Sequence, residues 1–265
     1  MTAKVRYEEM FPDEVEAAFK KTSVAYVPLG SLEWHGPHMA MGNDTLKIHA
    51  ICVQIAEKTG GVVLPPTFLG LSGGYQDRTL KREHYSVHVN HAFLLESLYV
   101  TIFSELVRIG VKLIVPFCGH TPADQIDVVR IAAGRANEHS QSRILVLSDI
   151  DVTWRALGIK EDYTGLAKKG DYARLTQIIG EIFEKGFYGG DHAALGETAI
   201  LMHLRPDLVD MKRLARPPAP AEDWWKALGI SGRDPSKARA EAGQRMVACI
   251  VDEAAKIVRQ ELGRV

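Results

Sequence analysis

The sequence predicts an α/β fold, a three-layer α/β/α sandwich around a mainly parallel central sheet, on three observations. Four short apolar runs, VAYVPLG, VVLPP, VKLIVPF and RILVLSDI, are continuous instead of alternating, as strands covered on both faces are. Amphipathic segments with apolar residues at helical spacing lie between most of them. The order strand, loop, helix recurs, with strands roughly 35 to 50 residues apart, which is the pattern of parallel pairing. With 265 residues and 46% hydrophobic content the chain can bury one large core, so residues 1–265 are read as a single domain.

Taken in order, Phe11-Pro12-Asp13-Glu14 opens a first helix that runs to about Lys21, with proline tolerated in the first turn and acids suiting the positive helix end. Val15, Ala18 and Phe19 share its apolar face. The first strand spans Ser23 to Leu29. Asp44 to Lys58 follows as a helix with Ile48, Ile51, Cys52 and Ile55 on one stripe, closed by Thr59-Gly60-Gly61, and VVLPP is the second strand. After the loop from Gly70 to Gly74 and Tyr75, HYSVHV alternates like an edge strand. Ala92 to Ile109 is a clean amphipathic helix with Leu95, Leu98, Ile102, Leu106 and Ile109 at helical spacing. VKLIVPF, the third strand, ends in Cys118-Gly119-His120, and the next helix starts with Thr121 as cap and Pro122 at its first position. RILVLSDI is the fourth strand. The stretch from Asp151 to Gly170, with Trp154 and Tyr163, reads as a lid or subunit contact. Asp171 to Lys185 is helical, a second polar loop carries DHAALGET, and a helix to His203 follows. Arg216 to Glu222 is the one linker-like composition, too short to divide domains. A final helix from Pro235 to Leu262 turns Met246, Ile250, Ala254 and Ile257 inward.

Composition excludes several classes. A formal net charge of −1 from 32 basic and 33 acidic residues gives no basis for a nucleic-acid or membrane-surface partner. The three cysteines, Cys52, Cys118 and Cys249, lack C-x-x-C spacing, so neither a disulfide framework nor a cysteine zinc site is expected. No apolar leader and no membrane-length apolar run stands out, and the expectation is a soluble, cytoplasmic protein.

The chemistry concentrates in PLGSLEWHGPHMAMGND, Pro28 to Asp44. Glu33 and His35 are two residues apart, so in an extended segment both side chains face the same side and can reach neighbouring cations. Asp44 closes the loop with a carboxylate that can bridge two cations, and it also stands where it would cap the next helix. A polar loop in which Asp44 only caps and the histidines only complete hydrogen bonds fits the same spacing. Topology adds weight to the metal reading, because ligands of parallel sheets bind beyond the carboxyl ends of the strands, where both the Glu33 loop and His120 emerge. His84, His88 and His91 read as a solvated strand face, and Gly70 to Gly74 lacks the lysine and helix of a phosphate loop.

These residues resemble the creatininase family. SLEWHGPHMAMGND matches that family's G-S-x-E-Q-H-G-P-H-L-P-x-x-x-D, the later Gly119-His120 matches part of N-G-H-G-G-N, and DHAALGETA matches H-A-G-E-x-E-T-S, with GISGRDPSKA as a further echo. The second and third motifs depart from the pattern: Cys118 replaces asparagine, Thr121-Pro122-Ala123 the glycine-rich run, and Ala194-Leu195 a Gly-Glu pair. The resemblance implies an α/β/α sandwich with two divalent metal ions per chain, zinc first and manganese or iron compatible, commonly assembled as a homo-oligomeric hexamer. It places Glu33, Asp44 and His120 on one ion and His35, Asp44 and a second glutamate on the other. Where creatininase proper can use a glutamate two residues after the strand-end histidine, this chain has Pro122, which leaves Glu197. It also implies His192, with Glu197, as the catalytic groups that move a proton, and Trp34, His38 and Tyr75 on the substrate side.

The expected activity is hydrolysis of a small, polar, cyclic substrate at an amide bond by metal-activated water. Hydrolytic carbon–carbon cleavage of a cyclic diketone derived from inositol or another carbohydrate is the alternative within enzymes. A metal-binding scaffold without turnover is the alternative outside them.

Overall fold

The computed structural model describes residues 4–72, 85–138, 140–214 and 225–265. Tyr75, His84 and the segment from Arg216 to Glu222 lie outside them.

Strand β1 (Val24–Leu29) is buried along its whole length and lies between β2 (Val62–Val63) and β3 (Leu113–Cys118). β3 also pairs with β4 (Arg143–Ile144) and β5 (Leu147–Ser148), and all of these pairings are parallel. The central register runs from Val24 opposite Leu113 to Leu29 opposite Cys118, so the two strands end level. The side-chain period of two divides the core between the sheet's faces. Val24 and Tyr26 join Leu113, Val115 and Phe117 on one face, while Ala25, Val27 and Leu29 join Ile114 and Cys118 on the other.

Each face is covered by helices, which produces the continuous apolar strands seen in the sequence. Helix α1 (Pro12–Lys21) lies near the edge at β2. α2 (Asn43–Thr59) packs on the first face through Ile48, Ile51, Cys52 and Ile55, and α3 (Ala92–Arg108) and α4 (Ala123–Ala136) cover the second. Then follow α5 (Asp149–Ala156), α6 (Tyr163–Lys168), α7 (Tyr172–Glu184) and α8 (Leu195–Leu204). α9 (Ala240–Leu262) packs against α8, α2 and α5, with Met246, Ile250, Ala254 and Ile257 buried as expected. No helix among the described residues is long and apolar enough to cross a membrane.

Several local expectations are corrected. Residues from Asp149 onward are helical, and Trp154 is 2% exposed with its indole N–H donated to the Gly189 carbonyl at 3.1 Å and its ring edge-on to Tyr163. This is core packing, not a lid: α5 closes one side of the sheet, and Trp154 finds a buried acceptor. The fourth run divides into two short strands before α5 begins. α3 turns Leu95, Tyr99, Phe103 and Leu106 inward, and Ile109, at the C-cap, is 44% exposed. Pro122 is the N-cap of α4 instead of its first residue, and the last helix begins at Ala240 after a separate 3-10 turn over Pro235–Lys237.

Candidate metal centre

The loops leaving β1 and β3 meet at the carboxyl edge of the sheet because those strands are neighbours and end level. Gly119 allows the last step of the approach. A Cβ there would lie 2.3 Å from the Asp44 carbonyl, so only glycine lets the end of β3 close on the first turn of α2. Asp44 does not cap that helix. The N-cap is Gly42, Asp44 sits in the first turn, and its carboxylate turns to the two histidines instead.

Asp44 Oδ1 is 3.1 Å from His35 Nε2 and Oδ2 is 2.9 Å from His120 Nδ1. Glu33 Oε2 lies 3.0 Å from the same His120 nitrogen, and Glu197 Oε2 lies 3.2 Å from His35 Nε2. Three overlapping groups therefore converge, each with donor atoms within 4.8 Å of one another: Glu33, Asp44 and His120; His35, Asp44 and Glu197; and Glu33, His35 and His192. His35, Asp44, His120 and Glu197 are at most 3% exposed.

Whether such a cluster suits a cation is decided by the nitrogens. A carbonyl can only accept, so a ring nitrogen facing one must carry the hydrogen. His120 Nε2 meets the Leu71 carbonyl at 2.7 Å, and His35 Nδ1 meets the Glu33 carbonyl at 3.1 Å. The opposite nitrogen of each ring faces carboxylates, and His35 Nε2 is buried there without any aligned hydrogen bond. An imidazole tied by one nitrogen to a carbonyl, with the other aimed among carboxylates, is the arrangement of a metal-ligating histidine. The residues fit divalent cations.

Electrostatics agree. Burial by itself would lower both imidazoles, but Asp44 and Glu197 hold His35 well above its ordinary value, and Glu33 and Asp44 hold His120 up to about 10. Against burial, which would raise them, the histidines keep Asp44 well below the carboxylate range and Glu33 lowered, and Lys47 with His35 does the same for Glu197. A divalent cation held by these residues would take the place of protons on the carboxylate-facing nitrogens.

Around this cluster stand the other expected residues. The His192 ring lies tilted against His35, ring centroids 4.4 Å apart, and its Nε2 faces the Trp34 carbonyl at 2.9 Å. Its backbone pairs with Ser231, within the GISGRDPSKA stretch. Trp34 donates its indole N–H to the Leu228 carbonyl at 2.8 Å, anchoring the loop. His38 is 2% exposed and engages Thr198 Oγ1 at 2.9 Å, and burial with His35 beside it lowers it to about 4, so it is neutral at pH 7. Glu197 lies in the first turn of α8. Its Oε2 accepts the Ala193 N–H at 2.8 Å, and Ala193 is the only non-glycine at positive φ among the described residues. Asp191 accepts the Gly196 and Glu197 N–H groups at the same helix start.

Sequence reasoning passed over Lys47 and Asp149. Lys47 Nζ is fully buried, 2.8 Å from Glu197 Oε1 and 2.9 Å from Asp149 Oδ2. The signal was available, since Lys47 lies three residues after Asp44 and four before Ile51, on the stripe of α2 that turns inward. His88, read as part of a solvated strand face, instead stacks on His120 at 5.9 Å, with Nδ1 3.1 Å from Ser31 Oγ. The expected edge strand does not form among the described residues: the segment returns to the site through isolated bridges of Val87 with Leu32 and Val89 with Leu71.

Fold and site together define a three-layer α/β/α sandwich with a cluster suited to divalent cations at the carboxyl edge of its sheet. The family model described as creatinine amidohydrolase matches residues 8–258, and the chain belongs to the creatininase family. It is 28% identical over 207 residues to the creatinine amidohydrolase of Pseudomonas putida, covering 74% of this chain and 70% of that protein. It is 26% identical over 249 residues to a mycofactocin precursor peptide peptidase of Mycobacterium ulcerans (strain Agy99), covering 86% and 81%. A mutant creatininase structure described as Zn-Zn type shares the fold with a TM-score of 0.73 at 24% identity, over 98% of this chain and 99% of that one.

Proposed function

We propose that the protein hydrolyses an amide bond in a small, polar, cyclic substrate, using two divalent cations held by Glu33, Asp44 and His120 on one side and His35, Asp44 and Glu197 on the other. The observation that carries this reading is the division of Asp44, whose two oxygens face two imidazoles that are each tied by their other nitrogen to a backbone carbonyl. Imidazole and carboxylate donors suit zinc first, and manganese and iron accept the same set. Likenesses to creatininase structures described as Zn-Zn type and as Mn support divalent cations of this group without ranking them. When bound, such a pair of cations lowers the pKa of water towards neutrality and polarises the substrate carbonyl.

The chain's own groups do the rest. The Trp34 carbonyl fixes the hydrogen of His192 on Nε2, which leaves Nδ1 as the nitrogen that exchanges a proton with the reacting amide. Trp34, pinned through Leu228, walls the substrate side. Burial of the four innermost ligands keeps bulk water from competing with the carboxylates.

The test is a metal count on the purified, reconstituted chain, followed by a mass-shift assay for addition of one water across a panel of cyclic amides and cyclic polyol diketones. Two ions per chain with turnover on amides is the expected result. Fewer than one ion, or turnover on diketones alone, overturns the reading.

A further inference from the structure

A lysine with no exposed surface is uncommon, because burying an ammonium is costly unless carboxylates engage it. Lys47 is such a residue, and it lies beside the site without belonging to it. Its ammonium sits between Glu197 Oε1 at 2.8 Å and Asp149 Oδ2 at 2.9 Å, with the Tyr188 ring centroid 5.4 Å away. Asp149 opens α5, Lys47 lies on α2 and Glu197 on α8, so one charge joins three elements.

The two oxygens of Glu197 are thereby separated in role. Oε1 accepts from Lys47 and, at 3.2 Å, from Asn43 Nδ2, while Oε2 takes the Ala193 N–H and faces His35. A glutamate without these contacts can rotate, chelate one ion through both oxygens, or swing away. Held at Oε1 by a cation, it offers a single oxygen in a fixed direction. Asn43 donates to Asp44 Oδ1 as well, at 3.2 Å, so the same small network orients both carboxylates on the His35 side. No comparable ammonium stands behind Glu33 among its described contacts, where His120 is the partner.

Resting on the two-cation reading above, we infer that Lys47, anchored by Asp149, is a positioning residue that restricts Glu197 to one-oxygen ligation of the ion at His35 and so sets the affinity and geometry of that ion alone.

The test compares the wild-type chain with Lys47→Met combined with Asp149→Asn, which removes both charges together, and with the conservative Lys47→Arg. Each apoprotein is titrated with Zn2+ against a competing chelator, and the absorption spectrum of the Co2+-loaded protein reads the coordination. The double variant should bind one of the two ions roughly 10- to 100-fold less tightly, the range for loss of a group that orients a ligand. The other ion should be unchanged, the Co2+ bands of one site should shift, and Lys47→Arg should restore the affected ion at least partly. Unchanged affinity for both ions with an unchanged spectrum, or equal weakening of both, overturns the inference. If the double variant does not fold, Asp149→Asn alone, which frees Lys47 from its anchor, reads the same point: a selectively weakened second ion supports it and unaltered binding overturns it. A wild-type chain that binds fewer than two ions fails the two-cation reading itself, before any variant is compared.

Discussion

Glu33 and His120 emerge from neighbouring, level strands of one sheet, and a few residues of loop bring them to Asp44. On the other side of Asp44, His35 meets a glutamate carried in on α8, and the partner that holds this glutamate, Lys47, lies 150 residues earlier in the chain. The first half of the cluster is thus fixed by sheet register, and the second by helix packing and a buried charge network. Register is set along a whole strand pair, with every backbone group committed, while a helix terminus can shift by a small rotation. The second half should therefore be the more fragile, and substitutions can separate the two.

The largest effect is expected at Asp44, which both halves share. Asp44→Asn removes the charge facing both imidazoles, so metal analysis should find both ions depleted and activity should fall below detection. Retention of two ions would sink the bridging assignment. His192→Ala comes next: it leaves every proposed ligand in place, so both ions should stay while kcat falls by roughly 10²- to 10⁴-fold, the usual contribution of a positioned proton-transfer group. A variant that loses metal instead would make His192 a ligand. Glu197→Gln tests the asymmetry directly, since Glu33, Asp44 and His120 remain intact. One ion should be lost and one kept. Two retained ions with turnover lost would recast Glu197 as a proton carrier only, and equal, full occupancy in the Asp44 and Glu197 variants together would be fatal to the ligand set.

The smallest effect is expected at His38, whose hydrogen bond goes to Thr198 and not to a proposed ligand. Its Nε2 joins the loop to Thr198, next to Glu197. His38→Ala should loosen the seat of α8 and weaken the ion at His35 by about tenfold, as loss of an orienting contact does, with the ion at His120 unaffected. Weakening confined to the His120 ion would reverse the proposed order of fragility.

Much of this was written in the chain order. Continuous apolar runs specified strands buried on both faces, because a strand covered by helices has no wet side to alternate towards. Two-residue spacing brought Glu33 and His35 towards one edge, and the rule that ligands gather beyond the carboxyl ends of parallel strands brought His120 to them. Local sequence could not decide what depended on distant partners. Asp44 has the look of a helix cap until the histidines claim it, and Trp154 resembles a lid residue until Gly189 is found as its buried acceptor. RILVLSDI reads as one strand, yet Asp149 leaves it for a helix and for Lys47. Lys47 lies on the inward stripe of α2, but the carboxylates that offset the cost of burying its charge, Glu197 and Asp149, come from distant parts of the chain. The sequence determined the layers, the strand edge and the donor types. Only the tertiary structure decided which carboxylate faces which imidazole, because packing alone brings Glu197 to His35 and, 150 residues away in the chain, Lys47 to Glu197.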